Sequence, residues 1–248
     1  FDINTRGTVI LLEATRKYCP DAVFIHISTD KVYGENMVTY VREEETRYVP
    51  AVPPELQDVR DVVAPITGFK ENIGLDFAGD RSFFGCSKAA ADMYAQEYAA
   101  RLGMKIGVFR PGCITGREHQ GAEQHGFLAY LVKCIREGKI FKIFGFKGKQ
   151  VRDQIHADDL ASACEAFINN PKVGAVYNIG GGPDRSVSVI EAAQRISAKL
   201  NLPFISEEGE ARKGDRIWDV HDVSKFRADY LDWNYKYSLD DIINDLTS

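Results

Sequence analysis

The 248-residue sequence has no closely spaced cysteine pair, no long apolar run and no excess of basic residues. Its five cysteines are widely spaced and odd in number, which argues against a disulfide framework or a zinc site and favours a reducing cytoplasm. No apolar run approaches the roughly 18 residues of a membrane span, so we expect no membrane partner. With 31 Lys+Arg against 36 Asp+Glu, the formal charge is −5, which argues against nucleic acid as the main partner.

The sequence also lacks an initial methionine and opens directly in a helical pattern. Pro20 follows the end of this pattern, where a helix is expected to stop. A chain that starts inside a helix leads us to expect a missing segment upstream of Phe1. The apolar residues that recur at helical spacing are Ile3, Ile10, Leu11, Ala14 and Tyr18.

Strand and helix patterns alternate along most of the chain. Strands are predicted over residues 22–27, 105–109, 140–144 and 175–179. Helices are predicted over residues 87–101, 127–136, 158–169 and 188–200, with a last one that Ser238 caps. The alternation predicts an α/β fold built on a parallel sheet. Residues 35–80 are charged, contain prolines and are weakly periodic, which predicts a long functional or mobile loop.

Polar residues follow three of the predicted strands, at 28–31, 110–113 and 178–180. Ligands of open α/β sheets bind beyond the carboxyl ends of the strands, so we expect the site there. Lys88 lies in the first turn of the helix predicted from Ser87, where the helix dipole favours anions. Lys88 therefore either faces an anionic or hydroxyl-bearing ligand or is a solvated surface lysine.

Several motifs occur in a fixed order along nearly the whole chain. They are Asn4 with Gly7-Thr8, Ser28-Thr29-x-x-Val32-Tyr33-Gly34, Gly85-x-Ser87-Lys88, Arg152-Asp153-x-Ile155-His156-x-x-Asp159 and Tyr177-Asn178-Ile179-Gly180-Gly181. With these motifs the chain resembles the extended short-chain dehydrogenase/reductase family, the nucleotide-sugar epimerases and dehydratases. A second set resembles the branch that epimerises CDP-activated sugars: Cys113-x-Thr115-Gly116, His125-Gly126-Phe127 and residues 143–153.

The resemblance implies the C-terminal part of a Rossmann-type parallel sheet with a smaller α/β substrate-binding region. Residues 1–110 would form the C-terminal part of the NAD-binding domain, with the insertion at 35–80. Residues 111–248 would mainly bind substrate, with strands and helices that return to the sheet. The implied cofactor is NAD and the implied partner is a nucleotide sugar. A homodimer, paired through the helices at residues 2–18 and 87–101, is expected by resemblance only.

The resemblance also implies roles for individual residues. Catalytic candidates are Thr29, Asp30, Lys31 and Lys88. Cofactor-binding candidates are Asn4, Ser28, Lys88, Arg110, Pro111 and Cys113. Substrate-binding candidates are Thr29, Ser82, His125, Arg152, Arg212 and Asp215. Plainer interpretations stay open: Arg152 could pair with Asp153 or Asp159 instead of a diphosphate, His125 could be a solvated loop residue, and Asp30 could only orient its loop.

Two features depart from the family pattern. The glycine-rich dinucleotide fingerprint is absent from this sequence, and we expect it in an upstream portion on the order of 90 residues, at roughly 30 per βα step. The catalytic Tyr-x-x-x-Lys pattern, counted back from Lys88, reaches Phe84, which has no proton to exchange.

Three hypotheses follow from these residues. The first is an NAD-dependent epimerase of a nucleotide-activated deoxyhexose that acts by transient hydride transfer. The second is a nucleotide-sugar 4,6-dehydratase, in which Asp30 and Lys31 would serve the elimination of water. The third is a catalytically silent relative that binds nucleotide sugar, and Phe84 is the residue that supports it.

Overall fold

The structure is a computed structural model that describes residues 1–34, 40–51, 68–72, 81–123, 125–212 and 214–248. The strands, in chain order, are β1 (Phe24–Ile27), β2 (Val41–Glu43), β3 (Tyr48–Pro50), β4 (Ile106–Pro111), β5 (Cys113–Thr115), β6 (Phe141–Phe144), β7 (Val151–His156), β8 (Val176–Ile179), β9 (Ser186–Ser188), β10 (Ser206–Gly209) and β11 (Trp218–Asp219). The helices are α1 (Gly7–Tyr18), α2 (Ser82–Leu102), α3 (Phe127–Glu137), α4 (Ala157–Asn169), α5 (Val189–Leu200), α6 (Ser224–Asp229) and α7 (Leu239–Leu246). A π-helical segment, Asp2–Arg6, runs directly into α1, and a 3₁₀ turn spans Asp30–Tyr33.

The first sheet is parallel and has the strand order β1-β4-β8. Ile27 pairs with Phe109, and Pro111 pairs with Ile179, so the carboxyl ends of the three strands lie at one edge. All six residues of β4 are buried, because α1 and α2 cover one face of the strand and α4 and α6 cover the other. The predicted parallel α/β architecture is confirmed.

A second sheet brings distant segments next to this edge. In it β7 lies between β11 and β5, both parallel to it, and β9 pairs antiparallel with β7. A third, two-stranded sheet joins β6 and β10 in parallel. The sequence patterns did not predict β5, β7, β9, β10 or β11, because these strands are short or carry buried polar residues that break the apolar pattern.

Two helices differ from their predicted form. The helix predicted from Ser87 begins at Ser82, so Lys88 lies in its second turn and not its first. The dipole argument made for Lys88 is therefore wrong, since that field falls off within the first turn. In α1 only Leu12 is buried, against Ala95 and Ala99 of α2 and residues of β4. The apolar stripe of this first helical segment faces outward: Ile3, Ile10, Leu11 and Tyr18 are 56% to 89% exposed.

The stretch predicted as one long loop, residues 35–80, contains ordered structure. β2 and β3 form an antiparallel hairpin, which Arg47 ties to Glu191 of α5. Phe69 is buried against Trp218, with its ring 5.5 Å away. Residues 35–39, 52–67 and 73–80 lie outside the described residues, so the loop prediction is not tested there. Among the described helices, none has the length and apolarity that crossing a membrane requires.

Candidate active site

A cavity of about 590 Å³ opens where β1 and β4 end. Its volume lies in the range of small-molecule sites. The turn that follows each strand, the start of α2, β7 and the segment around β11 all contribute side chains to its wall. Ten of the predicted site residues line it: Ser28, Thr29, Asp30, Lys31, Ser82, Lys88, Pro111, Cys113, His125 and Arg152. Motifs separated by more than a hundred residues thus meet at one place.

The remaining predicted site residues lie outside the cavity wall. Asn4 donates a hydrogen bond to Ser87 on α2, at 2.9 Å. Arg212 stacks over the ring of Phe144, with its guanidinium carbon 3.6 Å from the ring centre. Arg110 forms a buried two-pronged ion pair with Asp92, both bonds at 2.9 Å, and donates to the hydroxyl of Tyr33 at 3.1 Å. Asp215 pairs with Arg152, so two predicted substrate ligands bind each other.

Lys88 is fixed by a hydrogen bond from its Nζ to the carbonyl oxygen of Ile27, at the end of β1. Its half-burial lowers the pKa of the ammonium group. Phe84 lies one helical turn earlier, lines the same cavity and is 51% exposed. The side chain that the family pattern expects to exchange a proton is therefore an exposed phenyl ring.

Thr29 contacts a group of four charged side chains, which we call the charged cluster. It consists of Asp30, Arg216 and Asp219, which are largely buried, and Lys31, which is partly exposed. Thr29 Oγ1 donates to Asp30 Oδ1 at 2.9 Å. Arg216 Nη1 donates to Asp30 Oδ2 at 2.9 Å and to Asp219 Oδ2 at 2.8 Å. Lys31 Nζ lies 3.6 Å from Asp30 and 3.9 Å from Asp219. Arg216 also donates to the backbone oxygens of residues 30 and 34, which holds the turn after β1 in place.

A second buried pair, Asp153 and His221, lies beside the charged cluster. His221 Nδ1 is 2.9 Å from Asp153 Oδ1, and both side chains are 1% exposed. Burial works against a charged imidazole, but the charge and hydrogen bond of Asp153, with Asp219 and Asp30, raise the pKa of His221 to about 9. A Cβ on Gly112 would lie 2.8 Å from both the carboxylate and the ring. The absence of a side chain at this position therefore leaves space for the Asp153–His221 pair.

Two further side chains line the cavity, and burial shifts the pKa of each. Burial raises the pKa of the Cys113 thiol to about 12, so this cysteine stays protonated at neutral pH. Burial also lowers the pKa of His119, whose Nδ1 lies 3.3 Å from Thr115 Oγ1. The ring of His119 meets that of His125 edge-on at 5.7 Å, so the two histidines form one side of the wall.

Sequence reasoning did not single out Asp153, Asp219 or His221 as site residues. The segment that contains Arg216, residues 212–216, lies where the family resemblance implies nucleotide binding, although arginines are also common in charged loops. A signal for Asp219 and His221 exists in residues 218–221. Trp218 and Val220 are buried core residues, and Asp219 and His221 alternate with them. This period-two pattern of a strand directs the two polar side chains to the other face, which here lines the cavity.

Comparison with known proteins agrees with the family resemblance of the sequence motifs. Residues 1–56 and 61–180 match the model of the NAD dependent epimerase/dehydratase family. The chain is 34% identical to CDP-paratose 2-epimerase of Salmonella typhi, over 97% of this chain and 68% of that protein. It is 27% identical to dTDP-glucose 4,6-dehydratase of Xanthomonas campestris pv. campestris (strain B100), over 96% of this chain and 62% of that protein.

Among solved structures, dTDP-glucose 4,6-dehydratase of Bacillus anthracis in complex with NAD matches with a TM-score of 0.74 at 27% identity. The match covers 99% of this chain and 67% of that one. The chain thus spans about two thirds of the length of these relatives.

Proposed function

Because the chain belongs to the NAD dependent epimerase/dehydratase family, as its motifs predicted, we propose that its protein is an NAD-dependent epimerase of a nucleotide-activated deoxyhexose. One observation carries the proposal: Thr29, Lys88 and Arg152, predicted from three separate motifs, line a single cavity at the carboxyl ends of β1 and β4. The similarity to CDP-paratose 2-epimerase supports a CDP-linked sugar as the substrate class.

The residues present fit one end of the cofactor. Lys88, fixed by Ile27, would place a positive charge beside the nicotinamide ribose, and the turn Pro111–Cys113 would form the adjoining wall. NAD, when bound, supplies the acceptor for a hydride. This sequence lacks the glycine-rich fingerprint that holds the pyrophosphate, so we expect the fit at the nicotinamide end only.

The sugar would lie over Thr29, whose hydroxyl would hydrogen-bond the reacting oxygen. Arg152 lines the cavity and would exchange its bond to Asp215 for the substrate diphosphate, which a guanidinium grips with two hydrogen bonds. His125 lies on the same wall and would contact the sugar or the nucleotide. Together these side chains bind and orient the sugar carbon towards the nicotinamide end.

The hydrogen bonds of Asp30 support an epimerase over a dehydratase. Elimination of water needs an acid that donates a proton to the departing hydroxyl. Both carboxylate oxygens of Asp30 already accept hydrogen bonds, one from Thr29 and one from Arg216. A proton on Asp30 would remove the charge that pairs with the buried guanidinium of Arg216, so Asp30 is suited to orient Thr29 and not to donate.

A turnover assay of the full-length protein tests the proposal against both alternatives. The protein is given NAD and, in turn, CDP-, UDP- and dTDP-linked deoxyhexoses, and product stereochemistry and mass are measured. We expect an inverted product of unchanged mass and a loss of turnover in Lys88→Met. A product lighter by one water would indicate the dehydratase, and binding without turnover would indicate the silent relative.

We also propose a homodimer and a cytoplasmic location. Ile10 and Leu11 on α1 and Met93 and Tyr94 on α2 are 43% to 59% exposed, which suits a helix-to-helix contact between two copies. All five cysteines are free, as suits a reducing compartment. Light scattering of the full-length protein and of Leu11→Glu tests the dimer, with a monomer expected only for the variant.

A further inference from the structure

His221 lines the cavity, and one of its ring nitrogens is bound while the other has no partner among the described residues. Nδ1 is paired with Asp153, whereas Nε2 is buried and has no hydrogen-bond partner among the described residues. A buried polar atom without a partner is costly, and each such atom in a native protein calls for a reason. A carboxylate that orients an imidazole, leaving the second nitrogen available, is the arrangement of general acid–base histidines.

The ring of His221 cannot easily turn away from this position. Asp153 Oδ2 accepts hydrogen bonds from the backbone N–H groups of Gly182, at 2.9 Å, and of His221 itself, at 3.1 Å. A Cβ at Gly180 would come within 2.3 Å of the same carboxylate oxygen, and one at Gly112 would meet the ring. The carboxylate is therefore held by the backbone, and the carboxylate in turn holds the imidazole.

His221 lies next to the part of the cavity where the sugar hydroxyl is expected. One side-chain atom each of Asp30, Asp219 and His221 lies within 4.8 Å of the other two. Asp30 in turn accepts the hydrogen bond of Thr29, the proposed partner of the reacting hydroxyl. His119, a half-buried histidine in the same wall, has no described contact with the charged cluster and instead pairs with Thr115.

The charges around His221 favour a proton carrier over a metal ion. The acids that act on it are Asp153 on β7, Asp219 on β11 and Asp30 in the turn after β1. The cations Arg216, Lys31 and Arg152 act on Asp219 of this group. Arg216 already bridges Asp30 and Asp219, and Arg152 is neutralised by Asp215. One negative charge then remains, which a protonated imidazole neutralises without displacing the guanidinium.

We propose that His221, oriented by Asp153, exchanges the proton of the reacting sugar hydroxyl, an inference that rests on the proposed function. This is the task that the family pattern gives to a phenol at the position of Phe84. With NAD bound to accept the hydride of the sugar carbon, the O–H bond would break, a C=O bond would form and the proton would move to Nε2 of the neutral ring. When the carbonyl is reduced from its other face, Nε2 would give the proton back to the oxygen.

The proposal has a distinctive pH dependence. Only the neutral ring accepts a proton, and the surrounding carboxylates keep His221 protonated up to about pH 9. The value of kcat/KM is therefore expected to rise tenfold per pH unit and to level off near pH 9. A base with an ordinary imidazole pKa of about 6.5 would level off more than two units lower.

Two measurements on the full-length protein with bound NAD test the proposal. The first is the pH profile of kcat/KM for the wild type, His221→Gln, Asp153→Asn and the control His156→Gln. His156 is also buried and paired with an aspartate, Asp245 at 3.2 Å, but does not line the cavity. We expect kcat to fall 10²–10⁴-fold in the first two variants, as for the loss of a general base, and to be unchanged in the control.

The second measurement is proton NMR of the histidine ring signals, with the His221 signal identified as the one that His221→Gln removes. We expect it to titrate near pH 9 and to shift when a CDP-sugar binds, and both readouts are taken on the wild-type protein. A His221→Gln enzyme with wild-type rate and profile, a His221 signal insensitive to the sugar, or its specific broadening by Mn²⁺ would overturn the inference and leave the epimerase proposal standing. No turnover by the wild type would overturn both.

Discussion

Arg216 Nη1 lies 2.9 Å from Asp30 Oδ2, and this ion pair joins two segments that are 186 residues apart in the chain. The arginine is 9% exposed and also binds Asp219, so a single guanidinium holds two buried carboxylates. Removal of one partner of a buried ion pair leaves an uncompensated charge. The position of the turn after β1, and with it that of Thr29, therefore depends on Arg216.

Replacement of this arginine by an apolar side chain of similar length should destabilise the fold. We expect Arg216→Met to lower the free energy of unfolding by about 3–5 kcal/mol, as for a broken buried pair. The control is Arg195→Met, which breaks the exposed pair with Asp240 and should cost about 0–1 kcal/mol. Equal losses in urea denaturation of the two variants would contradict a structural role for Arg216.

The fold also explains which secondary-structure elements could be predicted from sequence patterns and which could not. The long elements α3, α4 and α5 were predicted within a few residues, because their apolar side chains repeat at helical spacing. β7 was missed because Arg152, Asp153 and Gln154 interrupt its apolar pattern, although the last two are buried. The partner that allows Asp153 to be buried is His221, 68 residues later, and local periodicity carries no information about it.

Sequence reasoning likewise predicted only part of the candidate site. Ten predicted residues line the cavity because family motifs mark the ends of strands, where ligands bind. Arg110 has a motif position too, but Asp92 and Tyr33 occupy its guanidinium inside the protein. Whether a motif residue faces the cavity or the core depends on such partners, which come from other elements.

The stability of the protein should depend on pH through His221. Its folded-state pKa of about 9 lies above the value of about 6.5 expected for an unfolded chain, so the proton stabilises the folded state. This contribution is fully present below pH 6.5 and is lost as the pH rises through 9. We expect it to amount to about 3 kcal/mol, from roughly 1.4 kcal/mol per pKa unit.

Chemical denaturation at a series of pH values between 6 and about 9.5 measures this contribution, with the pH range set by the two pKa values. Asp153→Asn removes the main partner of the imidazole and should flatten the decline. A wild-type stability that stays level through this range would show that His221 is uncharged in the folded protein.

A phenol introduced at position 84 should take over part of the proton transfer. Phe84→Tyr places a hydroxyl one turn before Lys88, whose positive charge would lower the pKa of the phenol from about 10. In the wild type we expect little gain, since His221 already serves, but in His221→Gln we expect at least a tenfold recovery of kcat. Phe83→Tyr is the matched control, because Phe83 is 97% exposed and does not line the cavity. Recovery by both tyrosines, or by neither, would count against the proposed roles.

The five cysteines should differ in reactivity. Cys19 and Cys86 are exposed, whereas Cys113 lies in the cavity wall with its pKa raised to about 12. Because the thiolate is the reactive form, we expect iodoacetamide to label Cys19 and Cys86 well before Cys113 at neutral pH. Peptide mass spectrometry over a time course gives the order, and early labelling of Cys113 would contradict the raised pKa of its thiol.

The most direct test of the account follows the hydrogen at the reacting carbon. A CDP-linked deoxyhexose with deuterium on the carbon that is inverted is incubated with the full-length protein and NAD in ordinary water. The account predicts an inverted product that keeps its deuterium on the same carbon and keeps its mass, because the hydride leaves and returns within one cavity. Exchange of the deuterium with solvent, loss of water or an unchanged sugar would contradict it.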